Sequence, residues 1–100
     1  MIIVSRVNDC DYSIARPSPL GNPYPMKTEA DRDTVCDQHL VYFEQKILEN
    51  DPVILNELRK INKLAENKPV FKIGCFCTPR RCHGDPIAYF LNNYKDSLNE

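Results

Sequence analysis

The run Val70-Phe71-Lys72-Ile73-Gly74-Cys75-Phe76-Cys77 is apolar at nearly every position. A strand with one face in water alternates apolar and polar residues, so an almost continuous run marks a strand covered on both faces, as in a parallel sheet. Pro69 breaks the helix before it. Such a strand needs helices over its faces and parallel neighbours, and the rest of the chain offers candidates for both.

Met1 to Val7, rich in isoleucine and valine, reads as another short buried strand, because β-branched side chains pack well on a pleated surface. Asn8-Asp9-Cys10-Asp11 reads as a turn, and Tyr12 to Ala15 as a further short extended piece. Thr28-Glu29-Ala30-Asp31 has the form of a capping box, with acids in the first turn where the helix dipole favours them. Cys36, Leu40, Phe43 and Ile47 then recur at helical spacing, which predicts an amphipathic helix ending near Asn50. Cys36 falls on its apolar stripe as a small core residue, and His39 beside the stripe reads as structural or surface rather than as a ligand.

Asp51-Pro52 starts a second helix, an N-cap aspartate followed by proline at a position where its missing N–H costs nothing. Ile54, Leu58, Ile61 and Ala65 mark one face, with Leu55 and Leu64 widening it. Arg59, Lys60, Lys63 and Lys68 read as its solvated side. Asp85-Pro86 repeats the cap-plus-proline pattern, and Ile87, Phe90, Leu91, Tyr94 and Leu98 predict a third helix running nearly to the end. The order of strands and helices predicts an α/β fold: a small Rossmann-like sheet with about three helices, in which ligands bind beyond the carboxyl ends of the strands. A chain of 100 residues is too short for two independent cores, so residues 1–100 form a single domain.

The net charge of -1 gives no global basic field, which weighs against a nucleic-acid partner. No apolar stretch approaches the roughly 20 residues of a membrane span, and the start of the chain lacks the pattern of a signal peptide, so no membrane partner is expected. Five cysteines, two of them one residue apart, do not form a disulfide framework, and reduced thiols in a cytoplasm are expected. Association of copies into a homo-oligomer is left open.

Two loops carry the candidate chemistry. Residues Arg16 to Pro25 hold four of the eight prolines, which excludes helix, yet Leu20, Tyr24 and the nearby Met26 sit among polar residues as if the segment folds down onto the domain. The second loop, Cys77 to Asp85, joins strand to helix. Cys75, Cys77, Cys82 and His83 are suitable zinc donors, but their spacing lacks the usual C-x-x-C knuckle, so no metal or other cofactor is assigned. Cys82, near Arg80, Arg81 and His83 and close to a helix start, is a candidate nucleophile. The loop is also a candidate anion cradle: helix-start N–H groups point outward, Gly84 permits close approach, and Arg80 or Arg81 could clamp a phosphate. Arg16, Ser18, Gly21 and Asn22 face it from the other loop. Asp85, as N-cap, occupies one donor or accepts from a ribose hydroxyl. An alternative is that Thr78, His83 and Asp85 simply tie down the turn.

Both loops match a family pattern. Ile14-Ala15-Arg16-Pro17-Ser18-Pro19-Leu20-Gly21-Asn22-Pro23-Tyr24 and Cys75-Phe76-Cys77-Thr78-Pro79-Arg80-Arg81-Cys82-His83-Gly84-Asp85 together resemble the signatures of domain of unknown function 4326, a family of small phage and bacterial proteins. Leu20 stands where that pattern usually has an aromatic residue, and Phe76 keeps the aromatic between the paired cysteines. The resemblance implies a compact Rossmann-like domain in a phage or bacterial setting, without an activity.

The expectation is a protein that binds a nucleotide-derived, phosphate-containing ligand resembling ADP-ribose. Its binding residues would be Arg16, Ser18, Gly21, Asn22, Cys77, Thr78, Arg80, Arg81, His83, Gly84 and Asp85. In a phage it could sequester a host immune signal in the bacterial cytoplasm. Two alternatives stay open: an enzyme hydrolysing or transferring at the glycosidic bond, with Asp85, His83 or Cys82 catalytic, and a zinc-stabilised interaction module.

Overall fold

A computed structural model describes residues 1–76 and 80–98. Three parallel strands form one sheet: β1 (Ile2–Arg6), β2 (Tyr12–Ser13) and β3 (Phe71–Cys75), in the order β1-β3-β2. The apolar run is therefore the central strand. Ile2 to Arg6 pair in register with Phe71 to Cys75, and Tyr12 and Ser13 with Ile73 and Gly74 on the other side. Three helices complete the fold: α1 (Arg32–Leu48), α2 (Pro52–Ala65) and α3 (Gly84–Asn93). Phe71 and Ile73 on β3 are buried with Phe43 of α1, Ile54, Leu58 and Ile61 of α2, and Ile87 and Leu91 of α3. Among the described residues no helix is long and apolar enough to cross a membrane.

Only residues 7–11 separate β1 from β2, too few for a crossover helix, and both strands lie parallel to β3 on opposite sides of it. The link therefore passes directly over β3 at Gly74. A Cβ on Gly74 would lie 2.8 Å from Cys10 Cβ and 3.1 Å from Val7 Cα. Gly74 lets two backbones approach where any side chain would collide.

The α1–α2 corner is built from local signals. Asn50 takes a left-handed φ of 54°. Its N–H donates to the Ile47 carbonyl (3.1 Å), and the Asp51 N–H to that of Lys46 (3.0 Å), which closes α1. The Asp51 carboxylate then accepts from Val53 N (3.0 Å) and Ile54 N (3.1 Å) to open α2.

The other predicted starts differ in detail. The predicted capping box of Thr28 and Asp31 forms, with the Asp31 carboxylate accepting from Thr28 N at 3.2 Å, but it opens a 3-10 turn (Glu29–Asp31) ahead of α1 rather than α1 itself. Asp85 is not the N-cap of α3, which begins at Gly84, two residues before the expected start at Pro86, and its carboxylate accepts from Cys82 N at 3.3 Å. The third helix ends at Asn93, and Leu98 reaches the core from a separate 3-10 turn at Lys95–Leu98. Leu64 is exposed rather than part of the α2 core face.

Candidate functional site

The loop after β2 leaves the sheet alongside β3. Ile14 N donates to Gly74 O at 3.0 Å, so the ladder extends one bond past the last paired residue of β2. The Arg16–Pro17 peptide is cis. The loop then folds tightly upon itself: Ser18 N bonds Ala15 O, Gly21 N bonds Ser18 O at 2.8 Å, and Ser18 Oγ accepts from Leu20 N at 3.2 Å. A Cβ on Gly21 would lie 2.9 Å from Arg16 N and 3.0 Å from Ser18 O, so this turn excludes larger residues. Asn22 donates to Val35 O at 3.2 Å and accepts from Tyr24 N at 2.9 Å, fastening the loop to α1. Ser18, Gly21 and Asn22 thus shape the loop. Leu20 is only 1% exposed and packs in the core, so a side chain here fills the interior and has no surface on which a ligand could stack.

The second loop is fastened by its arginines to α1 and to the 3-10 turn ahead of it. Arg81 pairs with Asp37 at 2.7 Å and Asp33 at 3.2 Å, and Arg80 with Glu29 at 3.2 Å. Arg32 also pairs with Glu29 and donates to the Arg81 carbonyl at 3.1 Å. The Arg32 guanidinium, with Arg80 beyond it, holds the Glu29 carboxyl down at about 2. The backbone donors at the start of α3 are also engaged. Gly84 N donates to Cys82 Sγ, Asp85 N to Cys82 O, and Pro86 has none. Gly84 packs against the sheet, where a Cβ would lie 3.1 Å from Val4 Cγ1 and 3.2 Å from Ile14 Cδ1. Helix packing, not approach to a phosphate, accounts for this glycine.

His83 joins the loops. Its Nε2 lies 2.9 Å from the carbonyl oxygen of Ile14, and its Nδ1 3.7 Å from Cys75 Sγ. Burial pushes its pKa down against the opposing pull of the Ile14 carbonyl and Asp85, and the Arg16 charge pushes the same way as burial. His39 stands edge-on to it with ring centroids 5.2 Å apart and stacks on Phe43. His39 is 1% exposed, and burial, reinforced by His83, drives its pKa down to about 4. Its structural reading fits that position.

Between the loops lies a cleft of about 230 Å³, whose lining includes Arg16, Asn22, Tyr24, Phe76, Cys75 and His83. It opens at the carboxyl end of β3, where parallel α/β sheets place their ligands. Of the expected binding residues, Arg16, Asn22 and His83 line it. Ser18 and Gly21 shape the first loop without lining it, Arg80 pairs with Glu29 of the 3-10 turn and Arg81 with α1, and Cys77 and Thr78 lie outside the described residues. A profile for a domain of unknown function, DUF4326, matches residues 4–93. The chain belongs to the DUF4326 family. No curated protein and no solved structure matches it.

The matched span contains both loops of this DUF4326 chain and every residue that lines the cleft. Tyr24, Phe76 and Cys75 were absent from the expected binding set. Phe76, 74% exposed at the end of the central strand, was signalled as the aromatic between two cysteines. Tyr24 meets Tyr42 of α1 edge-on, a long-range contact without a local signature. Arg16 has no carboxylate partner among the described residues, whereas Arg32, Arg80 and Arg81 all do. The cleft therefore combines an unneutralised guanidinium, exposed aromatic surface and neutral imidazole, a set suited to an anion attached to a flat or apolar group. Among the described residues no group of three or more His, Cys, Asp or Glu is arranged to hold a metal ion.

Proposed function

We propose that this DUF4326 protein binds a nucleotide-derived, phosphate-containing ligand in the cleft between its two loops. The observation that carries the reading is their closure on one cleft with Arg16 as its cation lacking a carboxylate partner among the described residues. A phosphate fits the Arg16 fork, and a base or sugar fits the surface of Phe76 and Tyr24. The volume of about 230 Å³ is below the roughly 300–1,000 Å³ of pockets that enclose a whole drug-sized ligand. The cleft therefore takes one unit of such a molecule, and the remainder lies across its mouth.

In a phage, a domain of this size that binds without turnover would sequester a host nucleotide signal, since sequestration requires only affinity. The test is to incubate the purified protein with a panel of nucleotides and ADP-ribose derivatives, wash, denature, and identify what is released by mass spectrometry. One compound retained intact at one per chain is the expected result. A panel from which nothing is retained contradicts the reading.

A further inference from the structure

Cys75, His83 and Ile14 stand in a chemically ordered line. The Ile14 carbonyl can only accept, so the hydrogen of the neutral imidazole sits on Nε2, 2.9 Å from that oxygen. Nδ1 is then the bare nitrogen, and it faces Cys75 Sγ at 3.7 Å. A thiol, a base and a group that orients the base are the parts of an activated nucleophile. The other cleft thiols have different neighbours: Cys82 Sγ accepts from Gly84 N, and Cys36 Sγ donates to Arg81 O.

We propose that Cys75 is a nucleophile activated by His83, with the Ile14 carbonyl positioning the imidazole, and that it attacks the anomeric carbon of a ribosyl nucleotide seated in the cleft. The proposal rests on the nucleotide reading above and adds a covalent step to it. Acyl transfer fits less well, because it needs backbone donors for an oxyanion, and those of Cys82, Gly84 and Asp85 are already engaged. Displacement at a sugar carbon needs no such donors. Cys75 lines the cleft while only 1% exposed, so the step requires a single sugar unit seated directly against the sulfur, in line with a leaving group, in this cleft of about 230 Å³.

The step balances without a further reactant. The Cys75 thiol proton passes to His83 Nδ1 as the S–C1′ bond forms. The bond from C1′ to a pyridinium-type leaving group breaks, and its electron pair returns to the ring nitrogen, so the base departs neutral. Burial opposes the imidazolium that results, while the Ile14 carbonyl and Asp85 favour it. Its proton passes to solvent afterwards. The product is a nucleotide held through an S-glycosidic linkage, a covalent form of capture.

The experiment uses nicotinamide adenine dinucleotide as the probe. Wild-type protein is incubated with it, intact mass and released nicotinamide are recorded, and retention of the unmodified probe is measured in parallel by equilibrium dialysis. One ADP-ribosyl unit per chain, mapped to Cys75 by peptide fragmentation and matched by equimolar nicotinamide, is expected. The adduct disappears in Cys75→Ser, falls at least tenfold in rate in His83→Gln, and persists in Cys10→Ser, a thiol outside the cleft lining. Retention of intact probe by the wild type, with neither adduct nor nicotinamide, overturns the covalent step and leaves binding standing. An adduct that persists in Cys75→Ser overturns it as well. A wild type that neither retains nor modifies the probe overturns both for this ligand, whatever the folding of the variants.

Discussion

His83 Nε2 and the Ile14 carbonyl oxygen, 69 positions apart in the chain, meet at 2.9 Å and fix the two family loops against each other. The histidine arrives at the start of α3 and the carbonyl at the end of the β2 ladder, so the contact belongs to the sheet edge itself. Removing it leaves a buried acceptor without its donor. His83→Ala is expected to destabilise the fold by about 1–3 kcal/mol from that cause alone, and to abolish retention of ligand. Urea denaturation and a binding assay check the two parts separately.

The paired histidines set an acid limit. His39 is held at about 4, against an ordinary value of 6.5, and His83 is also lowered, so the folded protein takes up these protons less readily than the unfolded chain. Their contribution is complete above the unfolded value. It is lost as pH falls from about 6.5 toward 4, the window given by those values. For His39 the loss comes to about 3 kcal/mol across that window. Unfolding free energies measured between pH 7 and 4 are expected to fall in the native protein and to flatten in His39→Phe, which retains the stack on Phe43. An equal slope in both proteins contradicts the assignment. The carboxylates held low by their partners, Glu29, Asp11 and Asp51, begin to lose their contribution as pH falls below about 4.5, but equally in both proteins, so they do not mask the difference between the two slopes.

The crossing at Gly74 leaves no room for a side chain. Gly74→Ala places a methyl against Cys10 and Val7, and overpacking of this kind costs about 1–3 kcal/mol. Because the Cys10 side chain is the nearer neighbour, Cys10→Gly in the same chain should recover part of that loss. A thermal melt of the single and double variants is sufficient to check it.

Arg16 and Arg81 separate binding from scaffolding. Arg81→Ala breaks exposed pairs with Asp33 and Asp37 and should change stability by under about 1 kcal/mol, with only a modest effect on affinity. Arg16→Ala should leave the melting temperature within a degree or two of wild type and lower ligand affinity at least tenfold. The reverse pattern would move the anion site to α1.

Much of this architecture was legible locally. The apolar run marked β3 as a strand covered on both faces, which the structure places at the centre of the sheet, and Asp51-Pro52 marked a helix start that the structure reproduces to the hydrogen bond. The similar Asp85-Pro86 did not, because the buried pair His83 and Gly84 is drawn into the packing against Val4 and Ile14 and starts the helix earlier. Gly74 lies inside a strand-like run, and nothing beside it in sequence announces the segment that crosses it. The loop arginines illustrate the same limit: their charge was visible, but their partners on α1 and the turn ahead of it lie more than 40 positions away. A neighbouring acid decides whether a guanidinium is available to a ligand, and only the fold supplies that neighbour.

The most direct measurement of the central claim is a crystal structure of the protein with whichever compound the panel retains. Density is expected between Arg16 and Phe76, beside Cys75 and His83, with a phosphate on the Arg16 guanidinium. The chain has a second and more apolar cavity of about 620 Å³ between α1 and α3, lined by Phe43, Ile47, Tyr89 and Phe90. Density in that groove, with the cleft between the loops empty, would rule out the two-loop cleft as the binding site.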